Sequence, residues 1–155
     1  MPFARRVRRT RRGDFEIRLP ADERALLRNV APQLRELLDG DLADPNLRRL
    51  FPTAYADDPE RDREYHQLVR DELADRRRAA VATLLATVDE TRLDEEQLLA
   101  WMGAVNDIRL VLGTRLDVSE ETDPEPDPDD PDAALLMLYG YLGYLLETIV
   151  QALND

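Results

Sequence analysis

The feature that most constrains this chain lies near its end. Residues 133–146 run for 14 positions without a charge, between an acidic, proline-rich stretch and Glu147. A helix drawn over residues 132–153 carries two adjacent apolar stripes. One is Leu135, Leu138, Leu142, Leu145 and Ile149; the other is Leu136, Tyr139, Gly143, Leu146 and Val150. A helix apolar over so much of its circumference has to be covered on several sides. The uncharged run is shorter than the roughly 20 residues that a bilayer core demands. No arginine lies nearby to anchor it. The expectation is a buried core helix, no membrane span, and a homodimer in which the Leu135, Leu138, Leu142, Leu145 and Ile149 stripe meets its copy.

Three further helices precede it. Phe15, Ile17 and Leu19 alternate with charged residues and predict a short edge strand or extended lead-in, stopped by Pro20. A first helix follows over residues 21–39, with Leu26, Leu27, Val30, Leu34, Leu37 and Leu38 at helical spacing. Pro32 predicts a kink or break inside it, and Gly40 a cap after it. Asp44, Pro45 and Asn46 turn the chain into a short element bearing Leu47, Leu50 and Phe51. A second helix starts at Asp58-Pro59 and reaches about residue 88, with an inner stripe of Tyr65, Leu68, Val69, Leu73, Ala80, Leu84 and Val88. Asp94 and Gln97 have the spacing of a capping box, which opens a third helix ended by Gly113. The fold class expected is all-α: four to five helices in a bundle-like domain over residues 14–155. A short N-terminal extended segment precedes it, and a disordered acidic loop over residues 117–132 interrupts it.

Charge separates the two ends. All 21 basic residues are arginine, and the net formal charge is −12. Residues 1–12 carry six arginines, Arg5, Arg6, Arg8, Arg9, Arg11 and Arg12, and no acid. Residues 13–155 hold the other 15 against all 33 acids, a formal charge of −18. Residues 1–13 therefore read as a flexible basic arm. Such an arm can lie along a nucleic-acid backbone or in a minor groove, fold onto the acidic loop, or stay solvated. A body this acidic repels phosphate wherever arginines do not cluster.

The residue types exclude most catalytic chemistry. Without cysteine there is no thiolate ligand, disulfide or thiol switch. Ser119 is the only serine and lies far in sequence from the only histidine, His66, so a hydrolytic triad is not expected. A di-iron bundle needs Glu-x-x-His on two helices, whereas position 63 is Arg63. Asp62 and His66 stand four apart, a pairing that most often is only a solvated one. The six glycines are scattered and form no phosphate loop. No enzyme activity, metal or cofactor is expected. The basic start has no apolar stretch behind it, so no secretory signal is read and a cytoplasmic location is expected.

The third helix places Asn106, Asp107 and Arg109 among apolar neighbours, with Arg115 near its end. Such residues either form a buried polar network that fixes helix register or a recognition site. Trp101 reads as core. The run Trp101-x-x-x-x-Asn106-Asp107-x-Arg109-Leu110-x-Leu112-Gly113-Thr114-Arg115-Leu116 resembles the hallmark of the actinobacterial AosR family, formerly a domain of unknown function. Glu23-Arg24-x-Leu26-Leu27-Arg28, Leu50-Phe51-Pro52-x-Ala54-Tyr55 and the apolar last helix extend the likeness over roughly residues 14–153. The resemblance implies a cytoplasmic, helical, dimeric transcriptional regulator of oxidative-stress genes. Its implied partners are DNA, a sigma factor or RNA polymerase, with an acidic adaptor that never touches DNA as the alternative. No recognition helix with base-reading side chains is evident. Without cysteine, oxidant sensing by this chain would have to use Met1, Met102 or Met137, or a partner.

Overall fold

A computed structural model describes residues 5–51, 59–118 and 127–155. The order of elements is β1 (Val7–Arg9), β2 (Phe15–Ile17), α1 (Ala21–Asp39), a single 3-10 turn (Pro45–Leu47), α2 (Pro59–Thr87), β3 (Arg92–Leu93), α3 (Glu95–Arg115) and α4 (Ala133–Asn154). The protein is mostly helical, but it is not all-α. A three-stranded antiparallel sheet of order β1-β2-β3 closes one end.

That sheet corrects the reading of the N-terminus. Residues 5–13 are a hairpin arm, not a flexible one. Thr10 and Asp14 close the turn through Thr10 N–H to Asp14 O at 2.9 Å, and Gly13 takes the φ of +91° that the turn requires. Val7 pairs with Ile17 and Arg9 with Phe15, and Phe15 then pairs with Leu93. Val7, Phe15, Ile17 and Leu93 all point into the core. Burial of these apolar side chains outweighs the mutual repulsion of the flanking arginines, which bond to acids and carbonyls instead. Phe15–Ile17 is thus the central strand of the sheet, not an edge.

α3 is the axis of the helical layer. It packs against α2, α4, α1 and the 3-10 turn, while α4 rests on α3 and β1. The predicted capping box is present: Asp94 Oδ1 accepts from Gln97 N–H at 2.8 Å, and Gln97 Oε1 accepts from Asp94 N–H at 2.9 Å. Trp101 is fully buried, and its indole N–H donates to the Thr87 hydroxyl at 2.7 Å. α3 does not end at Gly113. It runs two residues further and stops where Asp117 adopts a φ of 52°, with Val118 N–H closing on Gly113 O at 2.9 Å. Gly113 serves packing instead. A Cβ there would fall 2.9 Å from Tyr139 Cε2 and 3.0 Å from Arg49 Nη1.

Two other expectations change. α1 occupies residues 21–39 as predicted and passes through Pro32 without breaking. Along α2 the inner stripe begins later than predicted, because Tyr65 and Leu68 are exposed while Leu84 and Val88 are buried. Of the acidic loop, residues 127–132 form turns in which Asp127 and Asp130 carboxylates accept backbone N–H groups two positions on. Residues 119–126, with Ser119, and the Pro52–Tyr55 part of the quoted motif lie outside the described residues, as do the side chains of Asp62 and His66. α4, at 22 residues and a mean hydropathy of 1.6 in its most apolar window, is long and apolar enough to cross a membrane. The 14-residue uncharged run understated it.

Candidate functional site

Four of the six N-terminal arginines are bonded within the chain. Arg5 meets Asp155 at 2.9 Å, and Arg8 meets Glu16 at 2.8 Å. Arg6 straddles the Glu23 carboxylate, with Nη2 to Oε2 at 2.9 Å, while the Tyr141 hydroxyl donates to Glu23 Oε1 at 2.7 Å. That cluster joins the residue ahead of β1 to α1 and α4. Its Glu23 hydrogen bond holds the Arg6 guanidinium above its usual range, and burial followed by the same carboxylate holds the Tyr141 phenol above its own. Arg9 lies 4.8 Å from the centre of the Phe15 ring and donates to Leu153 O at 3.1 Å. Arg11 and Arg12 stand exposed at the hairpin turn.

The solvent face of the sheet is nonetheless basic. Cross-strand register sets Arg8, Glu16 and Arg92 side by side. Arg18 and, at the turn, Arg11 and Arg12 add to the row, in which Glu16 bonds Arg8 and Arg18 and Asp14 bonds Arg92. In a chain of net charge −12 this is a concentrated positive end. It can take phosphates or a strongly acidic surface.

The α3 polar residues do not form one network. Asp107, 2 % exposed, accepts from Arg77 of α2, whose other amino group donates to Leu50 O at 2.8 Å. Arg77 also lies 5.8 Å from the centre of the Phe51 ring, so this pair ties α2, α3 and the segment after the 3-10 turn. Burial pushes the Asp107 carboxyl up, and the charge and hydrogen bond of Arg77 pull it back in part. On another face Arg109 donates to Asn106 Oδ1 at 3.0 Å and to the Tyr139 hydroxyl at 3.3 Å, which ties α3 to α4. Arg115 joins neither group. It is exposed at the end of α3, beside a groove of about 110 Å3 between α1, α3 and α4.

The predicted dimer stripe is divided by the fold. Leu142, Leu145 and Ile149 are fully buried against the rest of their own chain and cannot face a copy. Leu138 is half-buried, and Leu135 sits on the lip of the groove. The outward side of α4 carries Met137, Tyr144 and Val150 from around the other stripe. Gly140, on the same side, has open space where a Cβ would be. No group of three or more His, Cys, Asp or Glu side chains positioned for a metal occurs among the described residues.

The sequence reading missed the arginines that close helix ends. Arg24 of α1 donates to Leu19 O, Val88 O, Glu90 O and Ile17 O, which covers the C-terminus of α2. Arg78 of α2 donates to Leu38 O at 2.6 Å at the end of α1, and Arg49 donates to Val118 O at 3.1 Å beyond α3. With Arg9 on Leu153 O of α4, an arginine donates at or just beyond the C-terminal end of each of the four helices. The planar five-donor fork suits this work, since one side chain can serve several carbonyls.

An arginine-pinned helical domain with a basic hairpin is what these residues build. The chain belongs to the family described as Domain of unknown function (DUF2017), which matches residues 4–153. It is 30% identical to the oxidative stress regulator AosR of Mycobacterium tuberculosis strain H37Rv, over 90% of this chain and 82% of that protein. The AosR of Mycobacterium bovis gives the same figures. The putative oxidative stress regulator AosR of Mycobacterium leprae is 31% identical over 71% of this chain and 58% of that protein. The resemblance drawn from the Trp101 to Leu116 run is thereby shown. No solved structure matches the chain.

Proposed function

We propose that this chain is a cytoplasmic regulator of oxidative-stress genes that acts by binding rather than by catalysis. Its relatives named oxidative stress regulator, at 30% identity over most of both chains, carry the reading. The basic face of Arg8, Arg11, Arg12, Arg18 and Arg92 is the surface that would meet DNA phosphates or an acidic part of the transcription machinery, a sigma factor or RNA polymerase. Two copies would associate through the outward face of α4, Met137, Gly140, Tyr144 and Val150, rather than through the buried leucines. Among the described methionines, Met137 is the more exposed in the single chain, and its oxidation there would oppose this association.

The test is binding of promoter DNA across a salt series, full chain beside Arg8→Ala/Arg11→Ala/Arg12→Ala/Arg92→Ala. The expected result is binding that falls steeply with salt and a slope about three to four charges shallower in the variant. Absence of binding by the full chain at low salt would sink direct DNA contact. The exposed apolar face of α4 supports the second reading, an acidic adaptor held to a protein partner. On that reading Tyr144→Glu abolishes activity in cells and the arginine variant does not.

A further inference from the structure

We propose that the groove between α1, α3 and α4 binds a small amphipathic carboxylate, an aromatic or short-chain acid, with its acid group on Arg115. This proposal does not rest on the regulator reading and holds or falls by itself. The walls are apolar: Leu34 and Leu37 from α1, Ile108 from α3 and Leu138 from α4. Polar groups occur only as Gln33 and Arg115. Apolar lining with one or two convergent polar groups is the ordinary make-up of a small-molecule site.

Size narrows the occupant. The groove holds about 110 Å3, and an engineered apolar cavity of about 150 Å3 takes benzene. A short branched chain, or one ring lying partly in the open mouth of the groove, suits such a space, whereas a nucleotide or a helix does not. Charge narrows it further. Arg115 makes no hydrogen bond or ion pair with any described residue, although the chain carries far more acids than bases. Glu36 borders the depression that continues from the groove past Arg115, and it makes no ion pair with Arg115 either. A guanidinium fork beside an apolar slot matches a carboxylate on a hydrocarbon body.

Phenylacetate and toluene are the probes. The full chain is titrated with each, and the methyl resonances of Val30, Leu34, Ile108 and Leu138 are followed by NMR. Both are expected to shift these methyls, with phenylacetate the tighter. Arg115→Gln, on an exposed side chain, is expected to weaken phenylacetate by about tenfold or more and to leave toluene unchanged. Leu135→Trp, on the groove lip, is expected to block both. Equal phenylacetate affinity in Arg115→Gln overturns the proposal, as does the absence of a shift by either probe up to its solubility. So do shifts of the same methyls on raising protein concentration alone, which would mean that a second copy fills the groove.

Discussion

α3 buries ten residues and admits Asp107 and Thr114 among them, whereas α4, with the more continuous apolar surface, buries five and leaves Met137, Tyr144 and Val150 in solvent. Position in the bundle decides this, not apolarity. α3 is wrapped by three helices and the 3-10 turn, so even its carboxylate lies inside and requires Arg77. α4 is held along one side only. Burial on α3 therefore reports the stability of the single chain, and the outer surface of α4 is the face left for the association proposed above.

Substitutions separate the two helices most sharply at their large aromatics. Trp101→Ala is expected to cost about 4 kcal/mol in urea unfolding, through cavity formation. Tyr144→Ala should move unfolding by less than about 0.5 kcal/mol while weakening the proposed self-association in sedimentation. Equal costs would erase the distinction. Next in size is Asp107→Ala, at about 3 kcal/mol, because it strands the Arg77 cation in a half-buried site. The double variant Asp107→Leu/Arg77→Met is expected to recover most of that loss, and a failure to recover would assign the pair a further role. Gly113→Ala should cost about 1–2 kcal/mol by pushing Tyr139 and Arg49 from α3, a loss visible in a thermal melt.

Acid makes the smallest and most diagnostic difference. Asp14 is held below the usual carboxylate range by the Thr10 hydroxyl and then Arg92, and Glu16 by Arg18 and then Arg8. Their contribution is complete above the unfolded value, near about 4, and is lost as pH falls through the depressed folded values. Asp107 has the opposite sign. Its raised folded value makes protonation favour the native state, so its contribution is present at low pH and lost as pH rises through that value. Amides of the hairpin are therefore expected to lose hydrogen-exchange protection below about pH 4 before those of α3. The reverse order would contradict this electrostatic division.

Legibility in the sequence followed the length of each signal. α1 was readable to its ends, since Pro20, the leucine spacing and Gly40 agree, and α3 announced itself through Asp94 and Gln97. The first strand was hidden because its single inward residue, Val7, sits among arginines, and the two residues of β3 are too few for any period. A strand assignment could have rested on Val7, Gly13 and the alternation of Phe15 and Ile17. Tyr65 and Leu68 misled because α2 has 29 residues and α1 has 19. At about 1.5 Å per residue, one helix cannot cover the other throughout its length. Which of α4's two stripes faced inward was a tertiary choice, made by α3 and β1. Asn106, Asp107 and Arg109 stand out in the sequence as polar residues on an apolar helix, but the partners Arg77 and Tyr139 lie 30 residues away on either side. Glu23 gave no sign of its junction with Arg6 and Tyr141.

The arginines at the helix ends also govern time. Arg9 reaches Leu153 across 144 residues, Arg49 reaches Val118 across 69, Arg24 reaches Glu90 across 66 and Arg78 reaches Leu38 across 40. Closing such spans costs chain entropy that only preformed helices can offset. These contacts consequently belong to the native side of the folding barrier. Removing one should leave the refolding arm of a chevron nearly unmoved and lift the unfolding arm. The forks act as latches: they do little to find the fold and much to lengthen its lifetime.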